Sequence, residues 1–556
     1  MPPAVGGVMF GLMQPQPLLL SSVIAHAARH HGSTEVVSKL TDGSLHRSTY
    51  AEVEQRARRL VRVLQGMGVQ PGDRVATLAW NGYRHLELFY AVCGMGAICH
   101  TVNPRLAPDD VALTMHDAGD CVLFADADFA GLIAGLVPRV PTLRAVVAMC
   151  GDDQVPNLPL PAGVALASYE ALMAQAEEDY AWTSFDENTA SVLCYTSGTT
   201  GRPKGVLYSH RSALLHAYAA NMADVFGLRA TDRVLAAASM YHATGWALPY
   251  CAPIVGAALI LPGRHLDGAS LVQTLNDERV TFSAGVPTIW LGLLQQLRTS
   301  GARLRTLKRL AIGGSACPQL LIEALREYGV EVQHAWGMTE TSPVVTYNAP
   351  VPATAHLPPE DAMRLRLKQG RAVCGTDIRI VDGAGAELPW DGAAFGDLQA
   401  RGHWICRAYL NRGEDGAADA QGWFNTGDVA TIDPHGYAEM VDRSKDVIKS
   451  GGEWISSIQL ENIAVSHPDV MEAAIIAARH PKWMERPLLL VVPKAGCTLD
   501  ARSVLALYDG AVATWWRPDE VVVVDELPHT ATGKLNKLAL RARYADHLLR
   551  REAAQA

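Results

Sequence analysis

The segment YTSGTTGRPKG, Tyr195 to Gly205, concentrates small residues, hydroxyls and one lysine in eleven positions. Small side chains let backbone N–H groups approach an anion, the Ser and Thr hydroxyls add donors, and Lys204 supplies positive charge. Its spacing does not match G-x-x-x-x-G-K-[ST], which excludes an ordinary Walker loop. The segment follows a strand-like run and precedes a helix-like one opening near Ser212, so a phosphate-binding turn at a strand–helix junction is predicted. Three more segments mix glycine with ionisable groups: HAWGMTET (His334 to Thr341), GWFNTGD ending at Asp428, and PHTATGKLNK around Lys534. Taken singly these are a cap, a turn and a surface lysine. Their order along one chain gives them meaning.

Together they resemble the AMP-forming acyl-CoA synthetase superfamily, which includes adenylation domains and luciferases, and the match covers nearly the whole chain. The resemblance implies that Thr196, Ser197, Gly198, Thr199, Thr200 and Gly201, with Lys204, cradle the ATP phosphates. It implies that Trp336 stacks on adenine beside Gly337, that Thr339 contacts the α-phosphate, and that Glu340 holds Mg2+. A carboxylate beside a triphosphate repels it unless a hard cation lies between them. GGSACP resembles the loop that lies along the adenine, which implies contacts from Gly314 and Ser315. Asp428 is implied to accept the ribose hydroxyls, and Arg443, fifteen residues on, to make a second nucleotide contact. Lys445 matches the hinge about which a C-terminal domain swings between two poses. Gly451 and Gly452 match glycines that pass the pantetheine arm of coenzyme A, and Trp483 sits where some relatives stack on its base. Lys534 is implied to bridge the substrate carboxylate and the α-phosphate, where a mobile point cation is apt.

SMYHATGWALPY, Ser239 to Tyr250, matches one wall of the carboxylate pocket, with His242 near the reacting carboxylate and Trp246 shaping the tunnel. No acidic residue occurs there. A substrate ammonium would be buried unpaired, so an uncharged acyl tail is favoured. PLLLSSVIAHAARHHGSTEVVS, VNPRL and HPKWMERPLLLVV resemble the bacterial medium-chain fatty acid and 3-methylmercaptopropionate CoA ligase branch. That branch commonly has Asp or Gly where Met484 stands.

The elements that must position these residues read as α/β. Short apolar runs, among them Arg74 to Trp80, Cys121 to Asp126, Val234 to Ser239 and Leu307 to Gly314, alternate with helical patterns such as Leu271 to Glu278. This predicts a largely parallel, helix-covered sheet. After about Thr346 the texture changes to short Gly-spaced alternating segments, read as a small β-barrel-like part over about 350–442. The expected organisation is an N-terminal adenylation domain (1–442), a hinge (443–445) and a mobile α+β C-terminal domain (446–556).

Composition bounds the function. At 556 residues the chain is too long for one core, and 49% hydrophobic against 19% charged residues is a globular balance. A net charge of −9 excludes a dedicated nucleic-acid binder. Ten cysteines without a C-x-x-C pair argue for a reducing, cytoplasmic compartment and against a structural zinc site. No export signal is read. The uncharged stretch Ala243 to Gly263 is broken by Pro249, Pro253 and Pro262 and reads as core and pocket wall, leaving no stable membrane span. The expected activity is ligation of an apolar carboxylic acid to coenzyme A with ATP and Mg2+. The competing readings are an acyl-AMP or carrier-loading enzyme, a luciferase-like oxidase and an inactive nucleotide-binding regulator. A homodimer is a family expectation.

Overall fold

The computed structural model describes residues 11–196, 202–413, 416, 418–450, 453–529 and 535–555. Among the described residues, four sheets account for the strands, and the first is doubly wound. Its seven strands run in the order Ala165–Ser168, Ala145–Ala148, Val122–Ala125, Arg74–Leu78, Ile98–Thr101, Ala190–Tyr195 and Gly205–Ser209, parallel except for the last pair. Three of the six parallel strands are buried along their whole length, and Arg74–Leu78 at every residue but its first, as expected when helices cover both faces. Helix Tyr50–Gly66 shows why the helices start where they do: Thr49 and Glu52 form a reciprocal capping box that satisfies two otherwise unpaired backbone donors.

The second sheet has nine strands. Its parallel centre comprises Glu331–Gly337, Arg309–Ile312, Phe282–Gly285, Arg233–Leu235, Ala258–Leu261 and Glu35–Lys39, with antiparallel strands at both edges. The third is a four-stranded antiparallel sheet, Thr376–Val381, Phe395–Gly402, Phe424–Ile432 and Ala438–Arg443. The fourth is built on the long hairpin Val470–His480/Met484–Pro493, with Ile448–Ser450, Glu453–Ile455 and Glu520–Val523 added. It has apolar clusters on both faces, one around Ile475 and Leu489 and the other around Ile476 and Leu490.

Two local readings need correction. The phosphate-type segment does not join a strand to a helix. It connects two antiparallel strands, Ala190–Tyr195 and Gly205–Ser209, and the helix begins only at His210, capped by Ser209. The alternation in GVLYS (Val206 and Tyr208 buried, Leu207 exposed) is what a one-face-buried edge strand requires. Likewise, the strand within Val234 to Ser239 ends at Leu235. Beyond it the chain is captured by Asn81, whose Nδ2 donates to the carbonyls of Ala236 and Ala238, both at 2.8 Å, and whose Oδ1 accepts from Met240 N–H at 2.7 Å. The Asn81 carbonyl also accepts from Gly263 N–H at 2.9 Å, so one buried amide ties the first sheet to the second. No helix among the described residues is long and apolar enough to cross a membrane.

Candidate active site

Strand Glu331–Gly337 carries Trp336 and then turns sharply. A methyl group on Gly337 would lie 1.7 Å from the Pro343 carbonyl oxygen, so only glycine fits where the chain folds back. That turn buries Thr339 and Glu340, which a bare Thr-Glu cap would not require. The Glu340 backbone carbonyl accepts from Cys406 N–H at 2.8 Å, and the Thr339 carbonyl accepts from the Tyr208 hydroxyl. The Glu340 carboxylate accepts a 2.6 Å hydrogen bond from the Tyr409 hydroxyl. Burial pushes this carboxyl above the usual carboxylate range, against the Tyr409 hydrogen bond and the charges of Arg443 and Lys204.

Lys204 comes from the hairpin. Thr196 and Lys204 close its mouth, with Thr196 N–H donating to the Lys204 carbonyl at 3.0 Å and Lys204 N–H to Thr196 Oγ1 at 3.1 Å. The Lys204 ammonium stands 4.6 Å from the centre of the Tyr409 ring. Ser197, Gly198, Thr199, Thr200 and Gly201 lie outside the described residues, as do Gly451, Gly452 and Lys534.

A second cluster adjoins the first. Asp428 and Arg443 face each other directly across the Phe424–Ile432/Ala438–Arg443 ladder, and Arg443 Nε lies 2.8 Å from Asp428 Oδ1. The Trp336 indole N–H donates to Asp428 Oδ2 at 2.9 Å. An ionised carboxylate offers about four lone-pair sites, so Asp428 keeps acceptor capacity while both partners fix its plane. Gly314 has φ of +82° and is lined by Val286 and the Trp246 indole; Ser315 beside it is exposed.

The predicted acyl wall is conformationally unusual. Ala243, Thr244, Trp246 and Ala247 all have positive φ, from 37° to 59°, with Gly245 at 63°. Such a left-handed run is costly for L-residues and persists only where packing over-determines it. Here Trp246 is buried against Gly313 and Gly314, and Asn81 pins the chain just upstream. His242 begins the turn and is half-buried. Apolar groups (Met240, Ala243, Trp246, Ala247) dominate the neighbourhood.

On the C-terminal side, Lys445 is exposed between the third and fourth sheets. Trp483 is 42% exposed, with the Lys482 ammonium 4.6 Å from its ring centre. The backbone at Met484 suits Asp or Gly better than methionine. It has φ of +66° and closes the short loop between the strands of the long hairpin, where a left-handed residue is required. Its side chain is 66% exposed, so truncation sacrifices little burial. Met484→Gly is expected to stabilise this sheet by about 1 kcal/mol, measured as a higher urea midpoint; an unchanged or lower midpoint contradicts the strain.

Sequence reasoning missed Tyr409 and Asn81. Tyr409 lies in ICRAYLN, which has no chemical signature of its own, and it meets Glu340 across 69 positions.

Comparison with known proteins places these groups in context. The model of the AMP-binding enzyme family matches residues 24–410, and that of the AMP-binding enzyme C-terminal domain matches residues 459–534. The chain is 48% identical over 543 residues to a 3-methylmercaptopropionyl-CoA ligase of Ruegeria lacuscaerulensis, covering 97% of this chain and 100% of that one. It is 46% identical to a medium-chain-fatty-acid–CoA ligase of Ectopseudomonas oleovorans, covering 98% and 99%. Among solved structures, an anthranilate CoA ligase in complex with anthranoyl-AMP superposes with a TM-score of 0.82 at 25% identity, covering 94% of this chain and 96% of that one.

Proposed function

The chain belongs to the AMP-binding enzyme family, and from that premise we propose that it is an acid–CoA ligase acting in two half-reactions. A carboxylate attacks the α-phosphate of ATP, giving acyl-AMP and pyrophosphate; the thiol of coenzyme A then attacks the mixed anhydride and AMP leaves. The observation that carries this reading is the convergence of three distant segments on one place. Lys204 and Glu340 meet on Tyr409, through a cation–π contact and a hydrogen bond, and Trp336, four residues before Glu340, joins Asp428 and Arg443 in the adjoining cluster.

Each group has a task in the first step. Asp428 accepts the ribose hydroxyls, held in plane by Trp336 and Arg443. Trp336, Gly337, Gly314 and Ser315 border the adenine. Thr196, Ser197, Gly198, Thr199, Thr200, Gly201 and Lys204 receive the phosphates, Thr339 faces the α-phosphate, and Lys534 brings the carboxylate to it. The buried Glu340 carboxylate is a hard oxygen donor that fits Mg2+. Among the described residues no cluster of three or more ligating side chains exists, as suits an ion bound mainly through substrate phosphates. When bound, the ion neutralises phosphate charge as the bond to pyrophosphate breaks.

For the second step, rotation about Lys445 takes Lys534 away and presents Gly451, Gly452 and Trp483 to coenzyme A. An N-terminal domain to 442, a hinge at 443–445 and a C-terminal domain from 446 follow from this reading. The wall from Ser239 to Tyr250 lacks acidic groups, with His242 near the carboxylate and Trp246 along the tail, so the acid is a medium-chain or similarly apolar one. Each buried CH2 would add about 0.8 kcal/mol to binding. Cytoplasmic residence is supported by ten cysteines that all stand as free thiols, and a homodimer, expected from the family, is tested by sedimentation.

The deciding experiment follows thioester and pyrophosphate with Mg-ATP across a panel of acids, with and without coenzyme A. Thioester with a chain-length optimum is expected. Pyrophosphate without thioester moves the reading to an acyl-AMP or carrier-loading enzyme, and ATP binding without acid-dependent pyrophosphate moves it to a regulator.

A further inference from the structure

We propose that Tyr409 is a positioning residue for the metal-holding carboxylate of Glu340 and for the Lys204 ammonium; the inference rests on the ligase reading above. Tyr409 is 9% exposed and Glu340 5%. Its hydroxyl donates to Glu340 Oε1 at 2.6 Å, and its ring carries the Lys204 ammonium 4.6 Å from its centre. The tyrosine is itself fixed from both sides. The next residue, Leu410, donates its N–H to the Gly205 carbonyl at 2.9 Å, locking this segment to the hairpin that bears Lys204. On the other side Gly416, at φ +69°, lies so close that a methyl group there would stand 2.6 Å from Tyr409 Cε2 and 3.6 Å from Lys204 Nζ.

The consequence follows from carboxylate chemistry. The terminal torsion of a glutamate is broad, so a carboxylate with no partner sweeps its lone pairs over a wide arc. One charge-assisted hydrogen bond to Oε1 fixes the plane and leaves Oε2 directed for a cation. Outer partners of metal ligands commonly govern 10–100-fold in metal affinity. The ring face, meanwhile, holds the Lys204 ammonium near that carboxylate by a cation–π contact. A buried tyrosine that merely satisfies its hydroxyl would show the same hydrogen bond, so the test must separate metal from nucleotide.

Mn2+ binding, read by electron paramagnetic resonance in the presence of α,β-methylene-ATP, makes that separation on the full-length protein. Tyr409→Phe keeps the ring and removes only the hydroxyl. It is expected to weaken Mn2+ binding about 10–100-fold while AMP affinity without metal stays at the wild-type value. Tyr409→Leu, which also removes the ring, is expected to lose ATP affinity relative to AMP as well. Glu340→Gln serves as the reference. If Glu340→Gln loses Mn2+ and Tyr409→Phe does not, the positioning role is overturned and the ligase reading stands. If Glu340→Gln also binds Mn2+ as wild type does, the metal assignment of Glu340 itself falls. If Tyr409→Phe loses AMP and Mn2+ in equal measure, Tyr409 is a packing residue and the inference is overturned.

Discussion

Lys534→Ala is expected to lower acid-dependent pyrophosphate release by a factor on the order of 10²–10³ or more, while acyl-AMP supplied directly is still converted to thioester. The first half-reaction must bring a carboxylate against a phosphate that already carries negative charge, and only a cation between them allows in-line approach. In the roles proposed above, Lys204 and an ion held by Glu340 would serve the departing pyrophosphate side, so neither would substitute for a cation on the attacking side. In the second half-reaction the attacked carbonyl is already bonded to phosphate and no such pair of anions meets. The lysine itself lies outside the described residues, but both flanks of its segment are tied together. His529 bridges to Leu535, and Asn536 N–H donates to the Pro528 carbonyl at 2.8 Å. Asn536 then caps helix Lys537–Tyr544, which anchors the base of the segment to the C-terminal fold. Measured separately, the two half-reactions decide the matter: equal loss in both contradicts the assigned role.

What the sequence made legible was set by distance along the chain. Strands and helices of the parallel sheets announce themselves because periodicity is local: strand Val122–Ala125 falls within the run Cys121 to Asp126, and helix Gly268–Asp277 covers most of the pattern Leu271 to Glu278. Motif order exposed Lys204, Glu340, Asp428 and Arg443, because each sits in a short segment of unusual composition. The links among them were not legible. Trp336 and Asp428 read as separate nucleotide contacts, yet the indole N–H belongs to the carboxylate 92 positions away. Asn81 captures Met240 across 159 positions, and a buried asparagine has no period that would reveal its partner. Met484 was visible as a departure but not as a strained one, since φ is a property of the loop rather than of the residue.

Lys537→Met is expected to destabilise the C-terminal region by about 3–5 kcal/mol, the usual result of stripping one partner from a buried ion pair. Lys537 Nζ lies 2.7 Å from Glu461 Oε1, and only 10% and 15% of the two side chains are exposed. Glu461 also accepts from Ile475 N–H at 2.7 Å, so it is held in place and cannot turn to solvent when the lysine is gone. Nearby, Ser457 accepts from Lys537 and donates its own N–H to Asp442 at 2.7 Å. Asp442 precedes Arg443, so this cluster ties the C-terminal fold to the sheet that carries Asp428. Burial raises the Glu461 and Asp442 carboxyls and the Lys537 charge opposes it. Removing that charge raises them further. A carboxyl raised in the folded state binds more protons there than when unfolded, so stability falls as pH rises from the ordinary glutamate value of about 4.3. The deficit of Lys537→Met is therefore largest at neutral pH and shrinks as the solution is acidified towards that value. Adding Glu461→Gln, which keeps an acceptor for Ile475 and removes the orphaned charge, is expected to recover most of the loss. Urea unfolding at two pH values tests both claims, and a pH-independent deficit that the second substitution leaves untouched would assign the effect to packing of the lysine stem instead.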